Sequence, residues 1–281
     1  MSLRQLPEAK SIKRPQNFQW DAPSDVLAKW SEQPLAADNQ DANTITVFDV
    51  IGEDFWSGGG FTAKRMANAL RSIGTNDIVV KINSPGGDMF EGIAIYNLLR
   101  EHKAKVSVQV MGWAASAASI IAMAGDEISM GLGTFMMVHN AWGMVVGNRH
   151  DMRDAATLFD GFDSAIADIY QARTGLARAD IEKLMDAETF MGPTDAVAKG
   201  FADKVDNDLV AEPASTKNAA DNQILARRRT EAALAKAGIP RGERTSMINS
   251  LSGQRDATRP APRDAGFDPL AVQRLIQTIK S

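Results

Sequence analysis

The sequence predicts an α/β protein built on a parallel sheet. Three observations carry this. Short strand-like apolar runs alternate with segments of helical spacing through the middle of the chain, the order that gives right-handed crossovers. Turn signals such as Ser84-Pro85-Gly86-Gly87 and Gly112 close the strand runs. No sustained internal repeat is present, so a solenoid is excluded.

Residues 1 to 43 are polar and interrupted by Pro7, Pro15, Pro23 and Pro34, which is expected of an extension without long elements. Thr44 to Ile51 alternates as a strand does, and Ser57-Gly58-Gly59-Gly60 breaks it. Phe61 to Ile73 is expected as a helix and Asp77 to Asn83 as the second strand. Phe90 to Arg100 has helical spacing through Ile93, Ile95, Leu98 and Leu99. Val106 to Val110 predicts a third strand ended by Gly112, followed by an alanine-rich helix over Ala114 to Ala124. Two short strands follow, Glu127 to Met130 and Thr134 to His139. A long helix covers His150 to Arg173, a shorter one Ala179 to Met185, and a last turn of helix Asp195 to Lys199, closed by Gly200.

Charge is uneven. From Glu212 to Ser281 there are 12 Lys/Arg against 7 Asp/Glu, whereas the preceding residues hold 19 against 28. The net charge of −4 therefore averages an acidic body and a basic tail rich in Ala, Arg, Asn, Ser and Pro. The tail is expected to be flexible with short helical pieces. Asp221 to Ala237 has helical character and carries Arg227-Arg228-Arg229. Asp268-Pro269 opens a final amphipathic helix with Leu270, Leu275, Ile276 and Ile279 on one face, which suits docking to a partner protein. The acidic balance argues against nucleic acid as the main partner of the body, although the arginines of the tail could touch it.

The chain has no cysteine, which excludes disulfides, thiolate metal sites and a cysteine nucleophile. It has no apolar run of about 18 residues and no GxxxxGK[ST] loop, and the basic N-terminal run without an apolar stretch behind it is not expected to be a secretory leader. Cytoplasmic location, no cofactor and no metal are the expectations.

Ligands of parallel sheets sit at the carboxyl ends of the strands, where the Ser84–Gly87 and Gly112–Ser116 turns fall. Ser116 enters an alanine-rich helix whose free N–H groups could stabilise an oxyanion; the alternative is a simple helix cap. Gly86-Gly87 can expose backbone N–H groups, or be a plain turn. Of three histidines, His102 stands in a charged run and is expected in solvent, and His150 starts a helix. His139 ends an apolar strand and is either a general base or a satisfied core histidine.

Ile82-Asn83-Ser84-Pro85-Gly86-Gly87, Gly112-Trp113-Ala114-Ala115-Ser116, Met137-Val138-His139-Asn140 and the run from Phe190-Met191-Gly192 to Phe201-Ala202-Asp203 occur in that order. Together they resemble the ClpP-type serine peptidases of the ClpP/crotonase fold. Within that family they resemble the ClpP-related head maturation proteases of tailed phages and prophages. The resemblance covers roughly Thr44 to Val205. It implies Ser116 as nucleophile, His139 as general base, and Gly87 and Ala117 as oxyanion-hole donors. The family's acid is an aspartate where this sequence has Glu188, so Glu188, or else Asp186, is the implied third member. A Ser–His dyad is the remaining option.

The resemblance implies a fold of repeated β-β-α and βα units with a protruding handle helix; with the composition and charge it divides the chain into an N-terminal extension (1–43), a peptidase domain (44–208) and a flexible basic tail (209–281). It implies a homo-oligomer of stacked rings. The apolar stripe Ala155, Leu158, Phe159, Phe162, Ala165, Ile166 and Ile169 is expected at a subunit contact, the alternative being its own sheet. The expected activity is a serine endopeptidase that processes capsid or scaffold proteins. The alternatives are a Clp proteolytic subunit working with an unfoldase, an inactive assembly protein, and a crotonase-type enzyme acting on acyl-CoA.

Overall fold

Valine and isoleucine at alternate positions build the central strands, because β-branched side chains pack well on a pleated, buried surface. β3 (Ile78–Ser84) buries Ile78, Val80 and Ile82, and β4 (Val106–Ala115) buries Val106, Val108 and Val110. The computed structural model describes residues 19–20, 42–53, 60–209 and 241–251, with single positions at 230, 234 and 239. Tertiary contacts group Met1–Ala22 with Gln33–Ser215 as one unit, and Pro23–Glu32 with Thr216–Ser281 as another.

In chain order the first unit holds β1 (Gln19–Trp20), β2 (Thr44–Val47), α1 (Ala63–Ile73), β3, α2 (Met89–Glu101), β4, α3 (Ala117–Ala122), β5 (Glu127–Gly131), β6 (Phe135–Val138), β7 (Gly143–Met144), α4 (Arg149–Thr174), α5 (Arg178–Asp186), β8 (Thr189–Met191), α6 (Pro193–Ala198) and β9 (Lys204–Asp206). The main sheet runs β2-β3-β4-β5-β9, all parallel. β4 serves two partners along its length. Ser107 to Val110 pair with β5, and Trp113 to Ala115 pair in parallel with β6. β8 adds antiparallel to β6, so the expected parallel sheet carries one antiparallel member. β1 pairs with β7 in a separate two-stranded ribbon.

Helix ends follow their caps. Thr62 caps α1, and Asp88 accepts from the Phe90 and Glu91 N–H groups to start α2. Asn148 and Asp151 form a capping box on α4, which Gly175 closes at φ 73°.

Several expectations are corrected. β4 does not stop at Gly112. It continues to Ala115, and the helix after it covers only Ala117–Ala122. Gly112 serves close approach instead: a Cβ there would lie 2.4 Å from Asn83 Oδ1, and that oxygen accepts the Trp113 N–H at 3.1 Å. His102 is buried, because it caps the end of α2 and its Nε2 lies 2.8 Å from the Asn76 carbonyl. In the α4 stripe Phe162, Ile166 and Ile169 are buried in the core of their own chain, and Leu158 and Phe159 pack against it. Phe162 meets Phe90 edge-on at 5.4 Å. Most of the stripe is thus covered within the chain, and the exposed part of α4 is its first half.

The second unit contains α6's successor α7 (Arg241–Leu251), with Ile248 buried and the buried Arg244 guanidinium donating to the Ile239 carbonyl at 2.7 Å. Most of the N-terminal extension, Arg227-Arg228-Arg229 and the expected helix from Asp268 lie outside the described residues.

Candidate active site

Strand register brings the two central groups together. Ala115 on β4 pairs with Met137 on β6, and the Ser116 N–H donates to the Met137 carbonyl at 2.9 Å. Ser116 and His139 therefore leave adjacent strand ends side by side. His139 Nε2 lies 2.6 Å from Ser116 Oγ. Ser116 has φ 55° and ψ −125°, a conformation rare for a residue with a Cβ, which lifts its side chain off the strand path. Its side chain makes no cap bond to the helix, so the simple cap reading does not describe it.

His139 is 7% exposed, and burial pushes its pKa down to about 4. The imidazole is therefore neutral at neutral pH and free to accept a proton from the serine hydroxyl.

The Gly86-Gly87 turn packs directly on the serine turn. A Cβ on Gly86 (φ 89°) would fall 2.4 Å from the Ala115 carbonyl and 2.7 Å from Ser116 Cβ, so only glycine fits. Three bonds hold the turn. The Gly86 N–H donates to Ser84 Oγ at 3.2 Å, Ser84 Oγ donates to the Asp49 carbonyl at 2.6 Å, and the Ile51 N–H donates to the Gly86 carbonyl at 2.9 Å. The bridge to Ile51 uses Gly86 O and Asp88 N, which leaves the Gly87 N–H on the opposite side of the chain. Ala117 opens α3, where an N–H has no carbonyl one turn back within the helix. Gly87, Ser116, Ala117 and His139 all line one pocket, whose walls include Met89, Ile120, Trp142, Ile166 and Tyr170.

Of the two candidate acids, Asp186 ends α5 and Glu188 lies in the turn between α5 and β8. Asp186 is exposed, and its Oδ1 accepts from Asn140 Nδ2 at 2.8 Å. Glu188 is exposed, with φ 46° and its N–H donating to the Met185 carbonyl. Among the described residues the His139 ring bonds Ser116 alone, and burial rather than any carboxylate sets its pKa.

One nearby group escaped sequence reading. Asp163, on α4, accepts the Ala141 N–H at 2.6 Å, two residues past His139. Burial, with Asp160 and Asp186 nearby, pushes its pKa up to about 6. No motif marks it, since an aspartate on an amphipathic helix reads as a solvent position. Among the described residues no group of three or more His, Asp or Glu is placed to hold a metal ion, and no helix is long and apolar enough to cross a membrane.

A parallel α/β sheet with a strained serine at one strand end and a buried, neutral imidazole at the next defines an architecture suited to hydroxyl activation. The Clp protease family model matches residues 63–208, a little over half of the chain, and the chain belongs to that family. It is 34% identical over 131 residues to the ATP-dependent Clp protease proteolytic subunit of Deinococcus radiodurans, covering 46% of this chain and 64% of that relative. The match thus spans less than two thirds of the relative's length. A ClpP1 point mutant from Listeria monocytogenes has a similar fold, with a TM-score of 0.51 and 22% identity over 59% of this chain and 92% of that one.

Proposed function

We propose that the chain is a serine endopeptidase in which Ser116 is the nucleophile and His139 the general base. The observation that carries this is the 2.6 Å contact between His139 Nε2 and Ser116 Oγ, beside the Gly87 and Ala117 N–H groups. His139 takes the hydroxyl proton as Oγ attacks the scissile carbonyl. The two N–H groups hold the oxyanion, and the imidazolium gives its proton to the leaving amine. Water then hydrolyses the acyl-enzyme by the same path in reverse.

Glu188 is the proposed third member, carried over from the family likeness, with Asp186 the alternative. Two features favour Glu188. Asp186 is already engaged by Asn140, and Glu188 sits in a strained left-handed conformation of the kind found at functional positions. Engagement requires the Glu188 side chain to swing onto Nδ1. The pocket walls of Met89, Ile120, Trp142 and Ile166 suit an apolar substrate side chain.

The biological setting follows from the likeness to phage and prophage members: cleavage of capsid or scaffold proteins in the host cytoplasm, by a homo-oligomer, with the basic tail as docking segment. A second reading, a proteolytic subunit fed by an unfoldase, is favoured by the name of the Deinococcus relative.

A fluorophosphonate probe tests the chemistry. Labelling of the wild type that disappears in Ser116→Ala is expected; a well-folded wild type that resists the probe would overturn the reading. Cleavage of a folded reporter only when an unfoldase and ATP are supplied would favour the second setting. Cleavage of co-expressed capsid or scaffold protein without them would favour the first.

A further inference from the structure

Ser119 and Tyr170 lie 51 positions apart, and their hydroxyls meet at 2.7 Å with both residues buried. Ser119 Oγ also lies 2.6 Å from the Ser116 carbonyl and donates to it. A serine hydroxyl has one proton, and a carbonyl can only accept. The Ser119 proton is therefore committed to Ser116, and Tyr170 must be the donor to Ser119. Burial pushes the Tyr170 pKa up, so it remains a donor wherever the protein is folded. The ring is braced by Phe201, at 5.5 Å between centroids, and lines the pocket below Ser116.

The target of this relay is one peptide plane. In a trans peptide the C=O and the following N–H point in opposite directions. Fixing the Ser116 carbonyl therefore aims the Ala117 N–H. The Ser116 carbonyl accepts three donors: Ser119 N–H at 2.9 Å, Ile120 N–H at 3.3 Å and Ser119 Oγ at 2.6 Å. The backbone bonds are those of any helix start. The hydroxyl bond is supplementary, and it acts where φ 55° strains the chain.

We propose that Tyr170 and Ser119 are positioning residues: the relay Tyr170 Oη–H to Ser119 Oγ–H to Ser116 C=O orients the Ala117 N–H toward the oxyanion. The inference rests on the serine peptidase reading of the site. It makes α4, which supplies Tyr170, a support of the nucleophile turn across 51 residues of sequence.

The test uses the full chain, a fluorogenic peptide with an apolar residue before the scissile bond, and a peptide aldehyde that forms a tetrahedral adduct. Removing an oxyanion donor outright costs about 100-fold or more in kcat, so misaiming one should cost on the order of 10-fold. Ser119→Ala is expected to lower kcat by about that factor with KM unchanged, and to weaken aldehyde binding to the same degree. Tyr170→Phe, which keeps the ring and its packing, is expected to give part of the same loss. The double variant should be no worse than Ser119→Ala alone, because both act on one path. Wild-type kcat in both variants overturns the inference, as does a loss in which KM and thermal stability move with kcat, or one in which the two effects multiply. If Ser116→Ala itself leaves cleavage intact, the peptidase reading fails instead, and the two failures are distinguishable.

Discussion

Burial alone sets His139 in the state seen here, and that makes its titration diagnostic. With its pKa near 4, the base is unprotonated down to mildly acidic pH. A carboxylate brought onto Nδ1 would favour the imidazolium and raise that value. The acid limb of kcat/KM is therefore expected near pH 4 in Glu188→Gln, and at least about one unit higher in the wild type. Coincident limbs would remove Glu188 from the triad, and the same comparison with Asp186→Asn covers the alternative. Asp163 has the opposite sign. Its folded pKa, about 6, stands above the ordinary carboxylate value, so its contribution to stability is present at low pH and lost as pH rises through 6. At pH 8 it carries a half-buried charge. Asp163→Asn keeps an oxygen for the Ala141 N–H and removes that charge. Discounted for partial exposure, the expected gain is about 1 kcal/mol, seen as a melting temperature a few degrees higher at pH 8 and a smaller difference below pH 5. A lower melting temperature at pH 8 would show that the charge is needed. Ser116 and His139 could be singled out from sequence because each closes an apolar strand with a distinctive turn. His102 could not be placed, since a charged run hides a helix cap whose partner, the Asn76 carbonyl, lies 26 residues earlier. Ser119 and Tyr170 leave no local signal at all.

At the scale of elements, β4 organises the site by changing partner halfway along, from β5 to β6. This sets His139 beside Ser116, and the Gly86-Gly87 turn after β3 completes the third side. The turn tolerates no side chain. Gly86→Ala would force a Cβ into the Ala115 carbonyl and Ser116 Cβ at φ 89°. We expect a loss of about 1–3 kcal/mol and a larger loss of fluorophosphonate labelling than the stability change explains, because the displaced atoms belong to the nucleophile turn. Labelling at the wild-type rate would show that the turn can move without disturbing Ser116. The alternation of strands and helices was readable because each long element has enough residues to show its period. β8 and β9 have three residues each, too few for periodicity, and they form because β6 and β5 offer edges to pair with. The sequence pattern ends β4 too early because Gly112 resembles a breaker. Its role is to let the Asn83 carboxamide approach the strand.

At the scale of the molecule, the uneven charge and the grouping of contacts point the same way. The acidic portion holds the sheet, and the described partners of Ser116, His139, Gly87 and Ala117 all belong to the unit that ends at Ser215. That unit has its own closure. The buried Arg173 guanidinium on α4 bonds the Gly125 carbonyl at 2.9 Å and Asp203 Oδ2 at 2.5 Å, and Asp203 Oδ2 also accepts the Ile128 N–H at 2.7 Å. Helix, turn and the segment leading into the last strand are thereby tied to the sheet by groups that all lie within the first unit. A chain ending at Ser215 is accordingly expected to be soluble, to keep a cooperative thermal transition, and to label with fluorophosphonate at Ser116 at a rate within about twofold of the full chain. Its charge would be more negative, since the tail contributes more Lys/Arg than Asp/Glu. Any salt-sensitive association of the full chain with an acidic partner should therefore be lost on truncation while peptide cleavage survives. Loss of labelling together with the thermal transition would instead make the second unit part of the fold of the first. Loss of labelling with the transition retained would place a tail residue at the site.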